Sequence, residues 1–154
     1  MARIVTPTLD YRAVQIGDQL PPFVRTTGFA EWNRYAAVND EFIPIHMDDD
    51  AGRAAGNAGG AFGMGNLRVS YVLNMLRQWA GDDGEITSLS VQYRKINQKG
   101  DVLRAVGEVT GKEVVDGIAV VRLKVDVVDQ DGQSTTPGEA TVVVAGGWAE
   151  GENG

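Results

Sequence analysis

Asp40, Glu41 and His46 stand within a few residues of one another, on a segment stiffened by Pro44. A carboxylate and an imidazole held together can position one water, one group accepting its proton while the other orients it. Such a positioned acid–base group changes a rate by about 100-fold to 10,000-fold. Histidine suits the work because its unperturbed pKa lies near neutrality, and His46 is the only histidine in the chain. The same residues have a bland reading: a lone histidine beside a helix end is often a hydrogen-bonded structural residue, Asp40 can cap that end, and Glu41 can be solvated.

A glycine-rich segment follows, Asn57-Ala58-Gly59-Gly60-Ala61-Phe62-Gly63-Met64-Gly65, and it opens directly into a helical pattern. Backbone N–H groups at a helix N-terminus are unsatisfied and lie at the positive end of the helix dipole. Gly63, Met64 and Gly65 are therefore candidates to donate to an oxygen that gains negative charge during a reaction. Packing alone also accounts for glycines before a buried helix. The segment is neither a phosphate-binding Walker loop, having no Gly-Lys-Ser/Thr, nor a dinucleotide fingerprint.

The elements that must hold these residues follow from hydrophobic periodicity and turn signals. Residues 23–27 read as a short strand after Pro21-Pro22. Phe29, Trp32, Tyr35 or Ala36, and Val38 recur at helical spacing, predicting an amphipathic helix that stops near Asn39. Asp48, Asp49 and Asp50 can cap a short helix over 51–55. Residues 66–80 predict a helix apolar around most of its circumference, as expected for one wrapped by other structure. The remainder predicts strands at 86–96, 102–115, 118–128 and 140–145, read as an antiparallel meander. An antiparallel sheet curled around one long buried helix suits this order better than a parallel sheet, so the fold class is α+β. Residues 1–10 and 148–154 are expected to be loosely ordered ends.

Composition sets the outer bounds. A chain of 154 residues that is 43% apolar supports a single domain with one core. Fourteen Lys and Arg against 21 Asp and Glu give a formal charge of -7, which argues against a surface built to coat nucleic acid or anionic membrane. The absence of cysteine removes disulfide frameworks, thiolate metal sites and cysteine nucleophiles, and one histidine makes a histidine-rich zinc site improbable. No apolar run suits a secretory signal or a membrane span, so a cytoplasmic location is expected.

The order of features over residues 21–145 resembles the MaoC-like hydratases and dehydratases of the hotdog fold, a family that includes the (R)-specific enoyl-CoA hydratases. That family carries a motif close to Gly-Asp-x-Asn-Pro-Ile/Leu-His-x-Asp. Here Asp40-Glu41-Phe42-Ile43-Pro44-Ile45-His46-Met47-Asp48 matches it at Pro44, Ile45, His46 and Asp48. A His-Gly-Met signature opening the central helix corresponds to Phe62-Gly63-Met64. Ungapped alignment places Glu41 at the position of the family's catalytic aspartate, whereas a one-residue bulge places Asp40 there. Ile43 and Phe62 depart from the usual asparagine and histidine.

The resemblance implies syn addition of water to a trans-2-enoyl-CoA, or the reverse, with His46 and an acidic neighbour handling the protons and the Gly63 N–H steadying the thioester oxygen. It implies no metal and no cofactor beyond the coenzyme A of the substrate itself. Arg94, Lys95 and Lys99 form a local basic cluster in sequence that can meet its phosphates or stand as a solvated strand edge. The pattern also looks like small actinobacterial hydratase subunits of fatty acid or steroid side-chain breakdown, so a homodimer or a heteromer with a second hotdog subunit is expected. A hotdog thioesterase and a non-catalytic subunit lining an acyl tunnel are the alternative functions.

Overall fold

The computed structural model describes residues 9–145. The expectation of loosely ordered ends therefore falls, except for residues 9 and 10, outside them. Asp10 accepts the Arg12 N–H at 3.0 Å and caps a single 3-10 turn, Tyr11–Ala13.

Five strands make one antiparallel sheet: β1 (Phe23–Thr26), β2 (Glu85–Val91), β3 (Val102–Val115), β4 (Ile118–Val128) and β5 (Gly138–Val143). Their spatial order is β1-β3-β4-β5-β2. This corrects the expected meander of the last four strands. β3, β4 and β5 do follow one another across the sheet, but β2 pairs with β5, Leu89 opposite Ala140, on the side away from β3. A hydrophobic pattern fixes which face of a strand is buried and leaves open which neighbour it takes. β2 also ends at Val91, earlier than the expected residue 96, and the chain beyond it runs as an irregular segment beside the site.

The sheet forms because its strands alternate. Ala119, Val121, Leu123, Val125 and Val127 of β4 are buried while Arg122 and Lys124 point outward. The β3–β4 hairpin turns on Asp116 and Gly117, both at positive φ (50° and 76°), the conformation of the tight turn that matches strand twist.

The described residues also form three α-helices: α1 (Phe29–Asn39), α2 (Asp49–Ala54) and α3 (Gly65–Ala80). Tyr71, Val72, Met75, Leu76 and Ala80 of α3 are buried in one core with Leu103, Ala105, Val109, Leu123 and Val142 of the sheet. The helix comes close because β3 carries Gly107, where a Cβ would lie 3.0 Å from Met75 Cε. A second, smaller cluster joins Trp32 and Ala36 of α1 to Ala61 and Met64. Val38, expected on the apolar face of α1, is 80% exposed, and Leu67, Leu73 and Trp79 of α3 are only partly covered. The wrapping of α3 is thus incomplete within one chain. Among the described residues no helix is long and apolar enough to cross a membrane.

Candidate active site at the N-terminus of the central helix

The end of α1 places the carboxylate. Asp40 terminates the helix in the left-handed conformation, φ 54°, which aspartate tolerates better than most residues. The chain reverses there, and Glu41 Oε2 and Oε1 lie 3.4 and 3.5 Å from Nδ2 of Asn66 in the first turn of α3. Burial first, and then the negative charge of nearby Glu41, push the Tyr35 phenol above its ordinary pKa. Asp40 and Glu41, which the sequence left as alternatives, are thereby separated: Glu41 lines the cleft with His46 and Asp40 does not.

Pro44 opens a 3-10 turn, Pro44–His46, at the one place where its missing N–H costs nothing. This turn buries His46, leaving it 8% exposed. Its Nδ1 lies 2.7 Å from the Phe62 carbonyl oxygen, and the two rings meet edge-to-face at 5.3 Å. A carbonyl only accepts, so Nδ1 carries a proton, and the neutral ring then has its lone pair on Nε2. The Phe62 N–H in turn donates to the Ile45 carbonyl at 3.2 Å, so the histidine loop and the glycine segment brace each other.

The aspartates after His46 act structurally, as their bland reading held. Asp48 Oδ1 accepts the Ala51 N–H at 2.7 Å and caps α2. Asp49 bonds Lys99 Nζ at 2.5 Å and the Ala61 N–H at 3.0 Å, and both hold its carboxyl below the usual range.

The glycines divide by role. Gly63 donates its N–H to the Asn97 carbonyl at 2.9 Å, and a Cβ there would lie 2.3 Å from the Asn97 side chain. The expectation that this N–H faces a developing oxyanion is therefore corrected: it is already spent. Met64 is 1% exposed and packs in the α1 cluster, away from the cleft wall. Gly65 is the first residue of α3, whose N-cap supplies no side-chain acceptor, so the N–H groups of that first turn lack intrahelical partners. Absence of a Cβ at Gly65 lets the Tyr93 ring lie over it, and the Tyr93 hydroxyl donates to Asn66 Oδ1 at 2.9 Å.

Together Glu41, His46, Gly63, Gly65, Asn66 and Tyr93 bound a cleft of about 230 Å³, which Arg68 also lines. A larger groove, about 550 Å³, runs between Leu73 and Arg77 of α3 and the β2 edge, away from these groups. A third, about 300 Å³, lies between α1 and α3, bounded by Phe23, Val38, Leu67 and Tyr71.

Arg94, Lys95 and Lys99 do not form one cluster. Arg94 bonds Gln92 beside β5, Lys95 Nζ bonds Asp129 at 2.6 Å and Gln133 at 2.8 Å, and Lys99 bonds Asp49 by α2. The irregular path after β2 sends successive side chains to different partners, which a strand reading does not anticipate. Sequence reasoning missed Asn66, Arg68, Tyr93 and Asn97. For Arg68 a signal existed: it is a charge between Leu67 and Val69 on a helix otherwise read as apolar.

Residues 15–131 match the model of the MaoC-like domain, and the chain belongs to that family. Its fold is that of R-hydratase PhaJ1 from Pseudomonas aeruginosa (TM-score 0.78, 20% identity, 90% of this chain and 87% of that one). It is also similar to the (R)-hydratase from A. caviae involved in PHA biosynthesis (TM-score 0.76, 24% identity, 87% and 99%). A third similar structure is the ChsH1-ChsH2 complex from Mycobacterium tuberculosis (TM-score 0.74, 21% identity, 85% and 98%). No curated protein sequence matches significantly. The antiparallel sheet with α3 across it is the hotdog fold of these neighbours.

Proposed function

We propose that the chain is an enoyl-CoA hydratase or dehydratase, adding water to a trans-2-enoyl thioester or removing it. His46 Nε2 takes a proton from water while Glu41 accepts the other hydrogen and fixes the water's orientation. The water oxygen bonds to C3, the C2–C3 π pair moves toward the thioester, and the proton is then delivered to C2 as the pair returns. The open first turn of α3 offers N–H groups to the thioester oxygen in between. The observation that carries this reading is the Nδ1–H bond to Phe62, which fixes the tautomer with Nε2 basic in a cleft that also holds Glu41.

Membership of the family and likeness to the hydratases support the reaction class. Coenzyme A enters as part of the substrate, in the cytoplasm, with fatty acyl or steroid side-chain thioesters as the substrate class. The partner is a second hotdog subunit, a copy of this chain or a different one, by analogy with the two-chain complex among the neighbours. Incubation of the purified chain with crotonyl-CoA, a long-chain enoyl-CoA and a steroid enoyl-CoA tests the reading. Loss of the conjugated thioester absorbance without release of free thiol is expected, whereas release of free thiol, from a saturated acyl-CoA as well, would identify a thioesterase.

A further inference from the structure

Arg68 is the one cation on the wall of the catalytic cleft, and it is 3% exposed. Burying a charge without a counter-ion is costly, so such groups are normally paired. Among the described residues Arg68 has no carboxylate partner. Its Nη1 donates to the Lys95 carbonyl at 2.5 Å and the Thr135 carbonyl at 3.4 Å, its Nε is sealed with no acceptor, and its guanidinium lies 5.4 Å from the centre of the Tyr93 ring. Burial pushes its pKa down, but a guanidinium stays charged in a protein. The site thus holds a preorganised, uncompensated positive charge one helical turn from Gly65. The backbone donor expected there, the Gly63 N–H, is occupied by Asn97.

We propose that Arg68 is a further catalytic residue, whose guanidinium stabilises the negative thioester oxygen of the enolate-like state. This rests on the hydratase reading and names the group that bears its charge. Fixed dipoles and charges aimed at developing charge in a water-poor site act with little reorganisation. Arg68 is fixed in this way before any ligand arrives, held by two carbonyls and an aromatic face on the wall of the cleft.

The probe is acetoacetyl-CoA, whose acyl group ionises to an enolate with its own ultraviolet absorbance, so that the enolate fraction of bound thioester can be read without turnover. Wild-type protein is expected to favour the bound enolate at least about tenfold, Arg68→Lys to keep part of that preference, and Arg68→Met to lose it. In hydration of crotonyl-CoA, Arg68→Met should lower kcat by about 100-fold to 1,000-fold with KM changed by less than about threefold. Melting curves accompany both, and Arg68→Met should keep its stability because it removes an unpaired buried charge.

Equal enolate preference in Arg68→Met and wild type, or none in wild type, would overturn the proposal. So would a destabilised Arg68→Met whose folded fraction turns over normally. A wild-type protein that favours the enolate but hydrates no enoyl thioester would support the anion site while removing the hydratase reading.

Discussion

At the scale of single residues, Asp40 and Glu41 are adjacent in sequence and opposite in role. The left-handed φ of 54° at Asp40 ends α1 and aims the next side chain across the cleft mouth toward Asn66. Glu41→Gln is expected to lower hydration by about 100-fold or more, the loss of a positioned acid–base partner. Asp40→Asn should leave turnover within a few-fold of wild type, since asparagine also tolerates this conformation. Steady-state kinetics of the two variants check this, and the reverse ranking would move the carboxylate role to Asp40. Such a distinction was not legible beforehand, because alignment sees spacing and the αL reversal that decides the matter is a backbone property. His46 was legible from its type and the Pro44 beside it. Its tautomer was not, because that depends on a carbonyl 16 residues further along the chain.

At the scale of elements, α3 carries both core and site. Tyr71 shows the tension: it is 5% exposed in the main core, tilted against Phe23 at 5.7 Å, and its hydroxyl is buried with no hydrogen-bond partner. Burial pushes its pKa up to about 12 from 10.0. The sign follows from linkage: between these values the unfolded phenol has lost its proton and the native one keeps it, so stability falls as pH rises from 10 towards 12. Tyr71→Phe is therefore expected to be neutral or stabilising by about 1 kcal/mol at neutral pH and to lessen the alkaline loss. Denaturant midpoints at neutral and alkaline pH measure both, and a large loss of stability at neutral pH would show that the hydroxyl is satisfied. The helix, and strands β3 and β4 with their full lengths, were readable because periodicity and the Asp-Gly turn agree locally. The partner of β2 and the irregular path after Val91 were not, since both are set by contacts distant in sequence.

At the scale of the whole molecule, the sheet ends in β1 and β2 with no further strand beside either among the described residues, and the flank of α3 next to β2 is open at Leu73 and Arg77. Edges of this kind are usually paired or covered, because their free N–H and C=O groups invite association. Light scattering at micromolar concentration should give a mass of at least twice the 16.5 kDa chain, alone or with a co-expressed hotdog partner. A strictly monomeric protein under both conditions would rule out joining through the edge. The charge of -7 that set nucleic acid aside does not oppose such pairing, since an edge is made of backbone.

In the proposed function His46 is the acid–base group of an enoyl thioester hydratase. The decisive measurement is the loss of conjugated thioester absorbance from crotonyl-CoA and longer enoyl-CoA substrates, with wild-type protein beside His46→Ala of native circular dichroism. Wild-type protein should consume at least one substrate without releasing free thiol, and His46→Ala should do so at least about 100-fold more slowly. Turnover by the variant at near wild-type rate would contradict the assignment of His46. Failure of the wild type on every substrate, with or without a partner subunit, would contradict the hydratase itself.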